Sequence, residues 1–311
     1  MEFFSHQTSY PFMATRRVWY TLSAVLMLVS LGSFFTRGLD LTIDFTGGVS
    51  AEARFQHAAN VDAVRTRLAA AGFREPQVQN FGSSRDIAIR LPPEPKQTAT
   101  EIRARLESVI TSVEPAAQVV QLEVVGPQVG SELKVSASWA LFFTLLLIFL
   151  YIAFRFHTWR LSLGAILAVV HDPILVLGFF SITQMPFDLA VVAAILAVVG
   201  YSLNDTVVVF DRIRERFETN RRSPPDLVLD QSINQTLSRT IMTKVVTSIV
   251  VVALLFLGGP VLKGFSAALL IGIVAGTYSS IYISSAIALD FGLTAEHVFP
   301  TVKKAAFDQM P

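Results

Sequence analysis

Two carboxylates stand where a carboxylate is costly. Asp205 follows Asn204 inside the run "LAVVGYSLNDTVVVF", residues 196–210, and Asp172 follows His171 inside "AVVHDPILV", residues 168–176. At membrane depth a charge costs several kcal/mol unless it is paired or lines a wet cavity, so such residues mark ion pathways and proton relays. Two cations occur in "LSRTIMTKVVTSIVVV", residues 237–252, namely Arg239 and Lys244. Arg239, Thr243 and Thr247 recur every four residues and make one polar helical stripe. Lys244 is expected to snorkel back to the headgroups. A guanidinium favours the ionised form of a nearby carboxylate, and burial opposes it. A small change in separation would then tip such a carboxylate between holding and releasing a proton. Asp205 and Arg239 are candidate partners in this sense if their two segments pack together. The plainer alternative is that Asp205 only holds helices together.

His171 and Asp172 precede Pro173, which removes one helical hydrogen bond and frees a carbonyl one turn back. A bend beside a charge suits a cavity lining. The pair also resembles a metal-binding dipeptide, but no second His or Asp cluster accompanies it. Tyr201, Asp205, Val208 and Arg212 share a helical face, with Ser202 and Thr206 one residue off it. That clustering predicts a face turned into a helix bundle. Gly272 and Gly276 form a G-x-x-x-G pair suited to close helix packing, and Ser279, Ser280, Ser284 and Ser285 follow them.

The elements that hold these residues are apolar helices. Of 311 residues, 52% are hydrophobic and 16% charged, against about 25% charged in soluble domains. Mean hydropathy is +0.53. Net charge is +1, which gives no sign of a nucleic-acid partner, and the lack of cysteine excludes disulfides and thiolate chemistry. Six runs are long enough to span a bilayer: 18–36, 135–154, 161–182, 188–210, 240–258 and 265–290. The first is longer than a signal-peptide core and lacks a cleavage pattern, so it reads as an uncleaved span. Arg16, Arg17, Arg155, Arg160, the arginines of 212–222, Lys303 and Lys304 fall in alternate short segments. Positive charge stays inside, so the N-terminus 1–17, the loop 211–239 and the C-terminus 291–311 are expected in the cytoplasm. Residues 37–134 are then external.

That insert is polar and alternates. Strands are predicted over 49–55, 76–82, 85–91 and 117–125, and helices over 60–72 and 98–110, with Asn60 as a cap and Gly72 as a stop. The order βαββαβ is that of a ferredoxin-like domain. It is entered through "LTIDFTGGVS", residues 41–50, and left through "VGPQVGSEL", residues 125–133. Gly47, Gly48, Gly126 and Pro127 read either as rigid turns or as a hinge for the domain.

Taken together, "LTIDFTGG", "VGPQVGSEL", "GYSLNDTVVVFDRIRE", "INQTLSRTIMT" and "GTYSSIYIS" resemble the signature segments of the SecF family, in the same order along nearly the whole chain. The resemblance implies half of an RND-superfamily unit in the bacterial inner membrane. It implies SecD as partner, the SecYEG translocon and YajC as neighbours, and translocating preproteins as clients, with membrane lipid around and no nucleic acid. No cofactor is implied beyond protons, and no enzymatic step. It carries proton coupling onto Asp205, Asn204 and Arg239, and less firmly onto Asp172. It marks Asp44, Phe45, Gly47, Gly48, Gly126 and Pro127 as the motif at the base of the external domain.

Three rivals remain. An intramembrane aspartyl protease would need a Y-D and a G-x-G-D pair, and "VVHD" and "YSLND" provide neither. A small-molecule exporter of the same superfamily would carry both halves in one chain. A purely structural translocon subunit is better served by apolar packing than by a buried Asp205.

Overall fold

In the computed structural model, residues 8–93, 97–156 and 158–299 are described. Lys303 and Lys304, used above for orientation, lie outside them. Six helices are long and apolar enough to cross a membrane. The first span is α1 (Arg16–Arg37). A single helical turn, α2 (Ile43–Thr46), leads into the α/β domain: β1 (Gly48–Arg54), α3 (Val61–Ala70), β2 (Gln77–Phe81), β3 (Ser83–Leu91), α4 (Ala99–Val113) and β4 (Gln118–Val125). Five spans follow. They are α5 (Pro127–Arg155), α6 (Trp159–Thr183), α7 (Leu189–Thr219), α8 (Pro225–Leu257), and a last span made of α9 (Gly259–Tyr278), a π-helical turn (Ser279–Ile283) and α10 (Ser284–Asp290). A short α11 (Ala295–Val298) closes the described chain.

The sheet has the order β2-β3-β1-β4 and every pairing is antiparallel. Alternation explains its faces: Val49, Ala51, Ala53, Ile87, Ile89 and Leu91 point to one side, where Val64, Leu68, Leu106 and Ile110 of the helices cover them. Asn60 Oδ1 accepts from Ala63 N, and Thr98 with Glu101 forms a reciprocal capping box. The box holds the Glu101 carboxyl below its usual range, chiefly through the backbone N–H of Thr98.

The spans extend further than hydropathy suggested. The segment 211–239, expected as a loop, is instead a helical hairpin: α7 runs to Thr219 and α8 starts at Pro225. Polarity ends the apolar run there but does not end a helix. Ile213 and Phe217 on one arm and Val228, Leu229 and Ile233 on the other bury a shared apolar seam. Arg155 Nη2 donates to both carboxylate oxygens of Asp211 at 2.7 Å, which fixes the hairpin to the end of α5. Residues 8–16 lie across the same end of the bundle. Tyr10 N donates to Asn234 Oδ1 at 3.0 Å, Met13 N donates to Asp230 Oδ1 at 2.8 Å, and Arg16 pairs with Asp290.

Close packing is carried by small residues. A Cβ at Gly178 of α6 would collide with Ser30 of α1, one at Gly164 with the backbone of Ser284, and one at Gly272 with Val198. Gly276 faces Ser202, so the G-x-x-x-G pair seats α9 on α7.

At the opposite end, the segments entering and leaving the α/β domain form one knot. Gly47 and Gly48 adopt φ of +69° and +123°, which L side chains rarely take. A Cβ on Gly47 would sit 2.8 Å from Pro127 Cα, one on Gly48 would strike Leu91 O, and one on Gly130 would sit 2.6 Å from Gly47 N. The knot is fastened to the bundle. Asp44 Oδ2 accepts from Leu189 N at 3.1 Å, Thr42 N donates to Phe187 O, Phe187 N donates to Asp40 O, and Arg90 pairs with Asp40 at 3.0 Å. Phe45 packs on Phe187, whose ring in turn meets Phe180. Asp188 caps α7 beside Asp44; burial first, and then the Asp44 charge, raises its carboxyl above the usual range.

This geometry separates two glycines that look alike in sequence. Gly48→Ala is expected to destabilise the protein by roughly 1–3 kcal/mol, through left-handed strain and the Leu91 clash. Gly126→Ala, with φ −65° and nothing within 4 Å of its Cβ, is expected to be near neutral. Thermal unfolding of the two variants in detergent checks the difference.

Candidate functional site

Asp205 lies on the inward face of α7 and is 5% exposed. Its Oδ2 is 2.6 Å from Nζ of Lys244 on α8, which is also 5% exposed. Lys244 therefore does not snorkel. It stands five residues beyond Arg239, about 7.5 Å deeper along the helix and about 140° around it. That turn directs it into the bundle, where a carboxylate is within reach at no cost in extension. The Lys244 ammonium also lies over the Tyr201 ring, 4.0 Å from its centroid. Tyr201 is itself fixed: its hydroxyl donates to Thr243 O and shares a 3.0 Å hydrogen bond with Thr247 Oγ1.

Arg239 is exposed, and among the described residues no ion pair is formed by it. The expected Asp205–Arg239 contact is thus replaced within this chain by Asp205–Lys244. Asn204 is exposed as well, about 100° around α7 from Asp205. Thr243 Oγ1 donates to Arg239 O, so Arg239, Thr243 and Thr247 form the expected stripe, running beside Tyr201 of α7. The stripe flanks the buried pair and faces out of the bundle.

Asp172 is 0% exposed and makes a second centre. Its Oδ2 accepts from Ser202 Oγ of α7 at 2.5 Å and from Ser279 Oγ at 3.0 Å. His171 Nδ1 lies 3.0 Å from its Oδ1. Three spans converge on this carboxylate. Ser279 opens the π-helical turn, a local widening often found at functional positions. Gly276 gives the space: a Cβ there would lie 3.3 Å from Asp172 Oδ2. His171 is packed against Tyr278, and its Nε2 has no hydrogen-bond partner. Among the described residues no cluster of three His, Cys, Asp or Glu could hold a metal.

The structure thus joins Asp205, Lys244 and Tyr201 in one cluster and Asp172, Ser202 and Ser279 in another. It leaves Asn204 and Arg239 on the outer face. Asp44, Phe45, Gly47, Gly48, Gly126 and Pro127 gather in the knot at the domain end. Lys244 and Ser202 were missed as site residues. The available signal for Lys244 was depth: it lies inside the apolar run, as Asp205 does, whereas Arg239 lies at its edge.

Residues 105–294 match the family described as protein export membrane protein SecD/SecF, C-terminal, and residues 32–59 match the SecD/SecF GG motif. The "Protein translocase subunit SecF" of Haemophilus influenzae is 45% identical over 96% of this chain and 91% of its own length. The proteins of that name from Vibrio alginolyticus and Pseudomonas aeruginosa are each 44% identical over 96% of this chain. The crystal structure of SecDF from Thermus thermophilus, titled a translocon-associated membrane protein, superposes with a TM-score of 0.83 at 38% identity. It covers 91% of this chain, which spans 39% of that longer one. SecDF in a super-membrane-facing form gives a TM-score of 0.69 over 93% of this chain. A match over most of the length, both motif regions and the same helical frame lead to one conclusion: this multi-pass membrane protein belongs to the SecD/SecF family of protein export membrane proteins.

Proposed function

We propose that this chain is the SecF-type subunit of a protein translocase, working with a SecD partner in the bacterial inner membrane. The unit assists export through SecYEG, with YajC nearby and preproteins as clients, and draws on the proton motive force. The α/β segment is a ferredoxin-like domain on the periplasmic side, and the N-terminus, the α7–α8 hairpin and the C-terminus are cytoplasmic. The 39% share of the SecDF chains supports a missing half supplied by SecD. The arginines along the hairpin support its cytoplasmic side.

The buried Lys244–Asp205 pair carries the proton-coupled reading. A proton added to Asp205 cancels one charge and leaves an unpaired ammonium in an apolar bundle. That state is relieved when Lys244 releases a proton or finds another anion, or when α7 and α8 shift. Protonation is thereby linked to helix position, the coupling an ion-driven machine requires. Asp172 is the second anion in this chain. Asn204 and Arg239, polar and exposed beside the pair, form the face that meets SecD. An arginine there is better matched by an acidic residue of a second bundle than by acyl chains.

Asp205→Asn is expected to abolish proton flux and proton-stimulated export in proteoliposomes holding this chain with SecD, and, because it strands the buried Lys244 ammonium, to lower stability without preventing folding. Full activity of that variant would refute the coupling. Lys244→Met, which strands a buried carboxylate, is expected to lose about 3–5 kcal/mol of stability, and the double variant Asp205→Asn/Lys244→Met to recover most of it without regaining flux. Thermal unfolding and flux measured on the same samples check both.

The chain lacks cysteine, so single cysteines report cleanly. Cysteines placed at 204 or 239 are expected to crosslink to SecD, whereas one at the exposed position 28 on α1 is not.

A further inference from the structure

We infer that the crevice between α1, α5 and α7 at the domain end of the bundle is a binding site for one acyl chain of an anionic phospholipid. The inference rests on the membrane orientation proposed above. The crevice has a volume of about 350 Å³ and is lined by Phe34, Phe45, Leu141, Phe187 and Ile195, with Lys134 at its rim. It runs along α5 from Lys134 to Leu141, about 10 Å at the helical rise, which is part of one leaflet.

The apolar lining and the charge at its mouth select the occupant. The walls offer apolar contact, and the Ser138 hydroxyl is occupied, donating to Lys134 O. Charge enters only at the mouth. Lys134 is exposed at the level where the insert gives way to the apolar part of α5, and among the described residues it forms no ion pair. A lysine at the headgroup level is complementary to a lipid phosphate and to the net negative charge of phosphatidylglycerol.

The crevice lies directly under the knot, because Phe45 and Phe187 are both its wall and the contact that fastens the α/β domain. A chain seated there packs against the residues that set the domain on the bundle.

The test uses the full chain in phosphatidylcholine nanodiscs doped with phosphatidylglycerol carrying a diazirine on one acyl chain. Crosslinked peptides are mapped by mass spectrometry. Labelling is expected to concentrate at Leu141, Leu177, Val192 and Ile195 over the outward-facing Leu147 and Val246. Lys134→Gln is expected to lower crevice labelling about fivefold, the effect of one lysine at an anionic surface. Ala137→Trp, which fills the crevice, is expected to remove it while labelling of Leu147 persists. Uniform labelling of all apolar faces would overturn the site. Equal crevice labelling by a diazirine phosphatidylcholine would overturn the headgroup assignment. Loss of crevice labelling when SecD is bound would show that protein, not lipid, occupies it. Because the readout is lipid contact alone, these results stand apart from whether Asp205 carries protons.

Discussion

Lys244 and Asp205, 2.6 Å apart and almost wholly buried, set the terms for the rest of the bundle. Removing each charge from water costs several kcal/mol, and their mutual attraction offsets this only while the pair stays close. The helices bearing them cannot part at that level unless a proton neutralises the carboxylate or another anion takes the ammonium. Much of the surrounding structure serves this requirement. Tyr201 lays its ring on the ammonium, and its hydroxyl is tied to Thr243 and Thr247 of the same helix that carries Lys244. Gly272 and Gly276 let α9 approach α7 closely, which brings Ser279 to Asp172.

Asp172 complements the pair without copying it. It is held by hydroxyls and an imidazole and has no full counter-ion of its own in contact. Polar side chains converge here where apolar packing would be more stable. A bundle selected only for rigidity would not keep two buried carboxylates on α6 and α7 with a buried ammonium paired to one of them.

The sequence made some of this readable and hid the rest for identifiable reasons. Spans are set by apolar length, so all six could be found. The cap at Asn60 is local and was likewise within reach, as was the strand alternation of β1 and β3, whereas Thr98, read as the first residue of its helix, caps it instead. Hydropathy reports depth but not direction around a helix, so it could not tell that Lys244 faces inward and Arg239 outward. The α7–α8 hairpin reads as a loop because its residues are polar, although Ile213 and Phe217, then Leu229 and Ile233, recur at four-residue spacing. Ser202 and Ser279 gain meaning only when α6, α7 and the π-helical turn meet, a non-local fact no single segment records.

Asp44 has a mechanical consequence. Its carboxylate binds the first N–H of α7, and Asp205 lies sixteen residues further on, about 24 Å down the same unbroken helix. α7 is therefore a stiff shaft, keyed to the α/β domain at one end and to the buried ammonium at its middle. A tilt imposed at either key is felt at the other without an intervening joint. The domain's attitude over the bilayer and the grip on Lys244 are two readings of one lever.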